Sequence, residues 1–538
     1  MAPYTRFPPK DRRAGSPSAG VHAGLSAAAD PGLADTGLAD PAMADAAPAA
    51  GVRGLRAEPA AAKVRGVHPV VLVLLFSLII PIVFSLGSMR LSPNRVVVLL
   101  AFLPALFLVL SGAAGRVRAA DLWMMACSAW IALSILVNHG TGQIQFIGIT
   151  VIEMLGAYLI GRAFVRTESQ YRGLVRVLWW LMVILLPAAA IESVTTVQIY
   201  SKIFSPVFEV FPWSGYEKRL GFWRAQTVFE HAILYGTFTA FCMAPIYHAA
   251  RNDGGRIRAW ILTLPPLLTT FFCLSLGAWL GVIVQLGMML WGWVLRSFSW
   301  RWSLLGWLAV AAYVVVDMIS NRTPFEVFIS RVAFDAWTAY WRVLIFSYGM
   351  ENVWAHPFFG LGLADWARPS WMTAGTVDNL WLVFAMRYGI PGFAFLFAAY
   401  VSVVLGLTRS RPAGASARAH RDALAFSFIG LAICIATVHL WNASFVFVVF
   451  MMGASSWVAD APREEAVPGP RTGPGPGPGT GSGLGSGPGS GTGSGTGGGR
   501  AGPVVRPSPA RTAGAGAGGS RGSDRRASAP GRRPAGRA

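Results

Sequence analysis

The chain has 538 residues, of which 54% are hydrophobic and only 13% charged, whereas an ordinary soluble domain carries about a quarter charged residues. That balance excludes a soluble globular enzyme and indicates a polytopic membrane protein. A formal net charge of +20 does not indicate nucleic-acid binding, because the arginines lie in the two ends and in short connections between apolar runs, where basic residues orient membrane proteins.

In chain order, residues 1–66 are rich in Ala, Pro, Gly and Asp, with few large apolar side chains. They cannot offset the entropy of ordering, so a disordered cytoplasmic tail is expected there. No cleavable signal peptide is expected, because the first apolar run begins only near residue 69. A transmembrane domain is expected over 67–459, with apolar runs near 69–89, 96–113, 120–138, 144–164, 174–194, 228–249, 259–276, 278–295, 302–318, 380–407, 423–440 and 442–459. Each is long enough to span hydrocarbon, which makes an all-α bundle of about twelve transmembrane helices. Residues 460–538 are rich in Gly, Pro and Ser and are expected to form a second disordered cytoplasmic tail, whose arginines could graze anionic headgroups. Cys127, Cys242, Cys273 and Cys434 fall within apolar runs at unrelated spacings, as packing residues do, and no disulfide framework or zinc site is written.

Four connections are basic: Arg162 to Arg176, Arg251 to Arg258, Arg296 to Arg301, and Arg409 to Arg421. All fall on one side if the chain begins inside, so positive-inside bias places both termini in the cytoplasm. On the opposite face two connections are long, about 195–227 and about 319–379, and loops of that length usually carry function. Both mix aromatics with arginines and carboxylates, which suits a surface at headgroup level handling something amphipathic.

External arginines run against the orienting bias, so Arg219, Arg224, Arg331, Arg342 and Arg387 need a reason to be there. Together they suit a pyrophosphate clamp, since guanidinium groups stay charged and bind phosphate bidentately. Taken singly, each also fits snorkelling or pairing with Glu217, Glu326, Asp335 or Glu351. Asp378 precedes NLWLVFAM and suits a helix N-cap; a carboxylate there could also take a proton from a sugar hydroxyl. Asn379 stands beside it. Gly389, Pro391 and Gly392 mark a break that separates an entry helix, 380–388, from the span proper. Glu230 and His231 lie close to Arg224 in sequence, a trio that could hold a phosphate and relay a proton, or equally a helix start beside an interfacial imidazole. Glu153 falls mid-span, where an ionised carboxylate costs about 2.5–3.5 kcal/mol, so it is expected to be protonated or paired. It is also the residue that speaks for a secondary transporter or a flippase of lipid-linked oligosaccharide. The sequence contains no P-loop, no HExxH, no Asp-x-Asp pair and no metal-type Cys/His cluster, so no metal or cofactor is expected. The first external connection, MRLSPNR, carries no carboxylate, which argues against lipid-sugar-dependent transferases whose catalytic acid lies there.

Four stretches resemble the O-antigen ligase and polymerase superfamily, including exoQ-like exopolysaccharide production proteins: AYLIGRAFVR (157–166), KRLGFWRAQTVFEHAILYG (218–236), AYWRVLIFSYGMENVWAHPFFGLG (339–362) and VDNLWLVFAMRYGIPG (377–392). The resemblance covers roughly 69–459. It implies a bacterial inner-membrane glycosyltransferase that works without metal or nucleotide. Such an enzyme moves a glycan from an undecaprenyl-pyrophosphate donor to a glycan or lipid acceptor on the periplasmic side, with inversion at the anomeric carbon. By motif, Arg219 and Arg224 fall in the first arginine loop, Arg342 at the arginine of the large periplasmic loop, and Asp378 where many ligases have histidine. SLGAWLG (275–281) departs from a Ser-Arg-Gly pattern, Leu276 supplying no charge. Ligation and polymerisation both remain open at this point.

Overall fold

The computed structural model describes residues 66–87, 89–331, 336–373 and 375–462. The tails expected over 1–66 and 460–538 therefore fall almost wholly outside the described residues, as does Asp335. The chain enters through helix α1 (Pro69–Ser77), whose first turn is capped by His68 Nδ1 accepting from Val70 N. Here the expected helical run over 69–89 is corrected. The helix stops at Ser77, and an antiparallel hairpin follows, β1 (Ile82–Leu86) and β2 (Met89–Leu91). Pro81 has no N–H to continue the helix and disfavours helical geometry at Ile80, while β-branched Ile82 and Val83 suit a strand.

Helices dominate the rest: α2 (Pro93–Leu110), α3 (Ala119–His139), α4 (Ile144–Val151) joined through a π-helical turn at Ile152–Gly156 to α5 (Ala157–Phe164), and α6 (Glu168–Thr195). The first long connection folds as α7 (Ile199–Phe204) with short strands β3 (Glu209–Val210), β4 (Lys218–Arg219) and β5 (Phe222–Trp223). Then come α8 (Ala232–Phe241) and α9 (Met243–Phe272), the latter broken at Gly254 and Gly255 where the sequence places a basic connection. After α10 (Leu276–Val294) and α11 (Arg301–Ile319), the second long connection supplies two further helices, α12 (Pro324–Arg331) and α13 (Ala336–Ala355). The chain ends in α14 (Leu380–Arg409), α15 (Ala415–Ile435), α16 (Asn442–Ala454) and α17 (Trp457–Asp460).

Seven helical stretches among the described residues are long and apolar enough to cross a membrane: 93–110, 119–164, 168–195, 276–294, 301–319, 380–409 and 442–460. Large apolar side chains stand outward from them, Leu100, Phe107, Trp307 and Ile319 each more than 70% exposed, which fits a bilayer and not water. Inside the bundle, small residues let backbones meet. A Cβ at Gly453 would lie 2.0 Å from Tyr158 O, so α5 and α16 touch along their main chains, as small residues permit between membrane helices. The four cysteines are buried and free.

The basic connections gather at one end. Arg172 pairs with Asp253, Asn252 Nδ2 donates to Ser416 Oγ at 3.2 Å, and Arg118 Nη2 lies 2.5 Å from Asp460 Oδ1. Buried Arg162 pins the same end, donating to Arg116 O at 2.6 Å and standing 3.4 Å from Asp121. At the other end meet the β1–β3 ladder, which pairs Ile82 with Val210, the turn between α9 and α10, and the chain entering α14.

The break in α14 is at Gly389, with φ 73° and ψ 177°, a conformation open to glycine alone. Segment 357–362 crosses it. Leu361 N donates to Met386 O at 2.7 Å, Gly362 N to Arg387 O at 2.9 Å, and Ile390 N to Pro357 O at 2.7 Å. The polar groups released by the kink are thus satisfied by a second piece of main chain, as an apolar surrounding demands. A Cβ at Gly389 would sit 1.9 Å from Phe358 O, whereas one at Gly287 would meet nothing within 4 Å. Gly389→Ala should therefore destabilise the detergent-solubilised protein by at least the roughly 1–3 kcal/mol of backbone strain, seen as a lower thermal-unfolding midpoint, while Gly287→Ala leaves the midpoint unchanged or raises it.

Candidate active site

The site is built on a hairpin. Lys218 pairs with Trp223 and Arg219 with Phe222, joined by Leu220 and Gly221 at φ 52° and 84°, the two-residue left-handed turn whose twist matches paired strands. Continuing the register sets Glu217 opposite Arg224, and Arg224 N donates to Glu217 O at 3.1 Å. Glu217 Oε2 then accepts from Arg224 Nη1 at 2.7 Å and from Arg219 Nη2 at 3.2 Å. One carboxylate holds two guanidiniums. Burial pushes the Glu217 carboxyl up, but Arg224 and Arg219 outweigh it and leave it below its ordinary value.

The hairpin docks on the α9–α10 turn, where Arg219 Nη1 donates to Leu274 O at 3.2 Å and Ala225 N to Phe272 O at 2.9 Å. Behind it, buried Glu192 on α6 accepts from Gln226 N at 3.1 Å and Thr227 N at 2.8 Å, fixing the loop that follows Arg224. Arg224 itself is only 4% exposed, and its Nη2 is buried without a hydrogen-bond partner. A buried orphan on a charged group is costly and calls for a reason.

Asp378 is where this hairpin meets the second long connection. The charges of Arg342, from α13, and of Arg224 both act on it, as does Glu217. Burial is the largest influence and raises the Asp378 carboxyl above its ordinary value, against the pull of the two arginines. Arg342, Asp378 and Asn379 line one narrow hollow, and Asp378 also borders a cavity of about 840 Å³. That cavity is walled by His231, by Leu363, Trp366 and Arg368 from the segment after α13, by Asp378, by Arg387 on α14, and by His439 and Trp441. His139 Nε2 accepts from Leu363 N at 2.7 Å, and Asn352 holds Ala367 through both its amide atoms at 2.8 Å. The wall is anchored from two helices.

Several sequence expectations change on this geometry. The cap of α14 is Asn379, whose Oδ1 accepts from Trp381 N at 3.0 Å and Leu382 N at 3.1 Å, so the N-cap reading of Asp378 is corrected and its carboxylate is left for the site. The trio of Arg224, Glu230 and His231 divides. His231 lines the cavity, caps α8 by accepting from Ile233 N at 3.0 Å, and feels Arg224, Glu217 and Arg219. Glu230 instead accepts from Asn442 Nδ2 at 2.7 Å. Asn442 takes a hydrogen bond from Arg95 at 3.0 Å, and Arg95 stands 2.5 Å from Glu153. Glu153 is therefore paired, one of its two expected states, by a cation the sequence reading did not assign to it. Arg387 faces the cavity and acts on His439, not on Asp378. Arg331 is exposed at the end of α12. Of the partners the sequence offers for these arginines, Glu217 takes Arg219 and Arg224; that one carboxylate serves both, and that Glu192 anchors the loop, was not read from sequence. The first was signalled by a Leu-Gly turn flanked symmetrically by KR and FW; the second carries no local signal. Among the described residues no group of three His, Cys, Asp or Glu is gathered as a metal site. No protein-family model matches the chain, and no curated protein matches it.

Asn379→Ala should cost about 1 kcal/mol of stability as a lost cap, measured by denaturation in detergent, whereas Asp378→Asn should leave stability unchanged or slightly raised. Equal destabilisation by both would return Asp378 to the cap.

Proposed function

We propose that the protein is a membrane glycosyltransferase of the O-antigen ligase and polymerase type, moving a glycan from an undecaprenyl-pyrophosphate carrier to a glycan or lipid acceptor at the periplasmic face of a bacterial inner membrane. The observation that carries this reading is the convergence of Arg219, Arg224 and Arg342 on Glu217 and Asp378, with one buried nitrogen of Arg224 unsatisfied. Glu217 is shared between Arg219 and Arg224, and Arg224 keeps a buried nitrogen without a hydrogen-bond partner, which offers a donor to a diphosphate. The end of the bundle where the basic connections gather is assigned to the cytoplasm, which puts the cluster on the opposite side. The chain then makes about twelve passes, the first completed by extended residues after α1.

In the scheme, the acceptor hydroxyl attacks the anomeric carbon, the bond from that carbon to the pyrophosphate oxygen breaks, and the configuration inverts. Asp378 orients the hydroxyl and takes its proton. Arg342, Arg224 and Arg219 stabilise the charge that collects on the departing diphosphate, a preorganised field that needs no reorganisation during reaction. His231, Asn379 and Arg387 border the space available to the sugar. The alternative, a secondary transporter or flippase of lipid-linked oligosaccharide, draws on Glu153 and on the many apolar spans; Arg95 pairs with Glu153, which weakens the first of these supports.

Given carrier-linked glycan in inner-membrane vesicles, Arg342→Ala should abolish transfer, and full activity would remove the clamp. Asp378→Asn should reduce the rate by about 10²–10⁴-fold if Asp378 is the base, and less if it only orients. Because Asp378 works ionised and burial raises its carboxyl, the rate should fall with decreasing pH along a limb lying above the ordinary aspartate range. Arg342 opposes that rise, so a residual-activity variant such as Arg342→Gln should move the limb to still higher pH. A limb at the ordinary aspartate position, unmoved by the variant, would separate Asp378 from the rate.

A further inference from the structure

The end of the bundle carrying the basic connections holds a second cavity, of about 740 Å³, none of whose residues the proposed transfer uses. Arg251 and Arg256 from α9, Arg296 and Arg301 at the α10–α11 turn, and Arg418 from α15 line it. Among the described residues its lining has one carboxylate, Asp422, which Arg421 holds at 2.6 Å and on which Arg301 and Arg418 also act. Arg251, Arg256 and Arg296 form no ion pair among the described residues. Elsewhere at this end Arg172 and Arg118 have their own aspartates, whereas Arg251, Arg256 and Arg296 have none among the described residues and share one hollow.

The remaining lining is aromatic and apolar. The guanidinium of Arg256 lies 5.8 Å over the Trp293 ring and that of Arg301 5.7 Å over Trp302. A guanidinium held near a ring by cation–π attraction keeps its N–H groups available to an anion. The Tyr247 ring packs at a tilt against Trp260 with centroids 4.8 Å apart, and Trp302 likewise against Phe426 at 5.5 Å, forming an aromatic floor. Two of the lining residues on α10 also face outward, Leu290 58% and Trp293 51% exposed. A soluble anion would gain nothing from that outward apolar wall, whereas an amphiphile would use both parts. The volume suits a headgroup-sized ligand.

We propose that this cavity is a binding site for the phosphate headgroup of an anionic phospholipid, with its acyl chains lying along α10 past Leu290 and Trp293. Phosphate takes the N–H edges of Arg251, Arg256 and Arg296, as basic pockets between helices on the cytoplasmic side do with anionic lipids.

The full chain, extracted into a mild detergent and exposed to equal phosphatidylcholine and phosphatidylglycerol, should retain phosphatidylglycerol about tenfold more by native mass spectrometry, a difference of about 1.4 kcal/mol. The triple variant Arg251→Gln, Arg256→Gln, Arg296→Gln should lose that preference. In the unaltered protein, a phosphatidylglycerol bearing a diazirine near its headgroup should crosslink within residues 286–302, a test independent of how the variant folds. Equal retention of the two lipids, a preference unchanged in the triple variant, or crosslinks confined to other segments would overturn the proposal. So would displacement of the lipid by glycerol phosphate alone, which would make the ligand a soluble anion.

Discussion

Three main-chain hydrogen bonds across the break at Gly389 hold together what the rest of the site needs. Leu361 and Gly362 donate to carbonyls that the kink releases, and Ile390 donates to Pro357. Without them α14 would expose unpaired backbone among apolar side chains, where each such group costs several kcal/mol. With them, the segment after α13 is tied to the entry turn of α14, and two distant stretches of chain become one wall. The cavity bordered by Asp378 and Arg387 exists because that wall is closed. Pro391 fits the same place since its missing N–H falls where the helix restarts.

The charged part of the site obeys a related constraint. A buried arginine is tolerated only if paired or bonded, and Arg224 meets this through Glu217 and the Cys273 carbonyl, 3.4 Å from its Nε. Pairing is incomplete, because Glu217 is shared with Arg219 and leaves Arg224 Nη2 without a partner. Asp378 is drawn toward ionisation by two arginines and away from it by burial, and burial dominates. A group balanced in this way is suited to gaining and losing a proton during reaction. At the opposite end, Arg256 and Arg301 lie over tryptophan rings, and Arg251, Arg256 and Arg296 form no ion pair among the described residues. The two ends differ in what completes their charge.

Much of the fold was legible because its causes are local. Long apolar runs give helices wherever nothing interrupts them, and the same logic failed at Pro81, whose missing donor turns the first run into a hairpin. Gly389 and Pro391 announced the break, but not its partner, since residues 357–362 lie far back along the chain. Asp378 and Asn379 are equally good caps by chemistry, and a single position in the turn decides between them. Arg224, Glu230 and His231 are neighbours in sequence, yet the start of α8 sends Glu230 toward Asn442 and His231 toward the cavity. Arg95 and Glu153 meet only through packing of α2 against the π-helical turn, a contact without local signature. The Glu217–Arg224 pair follows from the Leu-Gly turn, whose register sets the two residues opposite each other.

The account rests on guanidiniums gathered to receive a diphosphate. Its most direct test is the affinity of the purified, full-length protein for farnesyl diphosphate compared with farnesyl monophosphate, measured by thermophoresis in detergent. The diphosphate should bind tighter by about tenfold or more, as charge-assisted hydrogen bonds of about 1.5–3 kcal/mol imply, and the double variant Arg224→Gln, Arg342→Gln should bind both alike. Equal affinity for the two in the unaltered protein, or a diphosphate preference that survives the double variant, would contradict it.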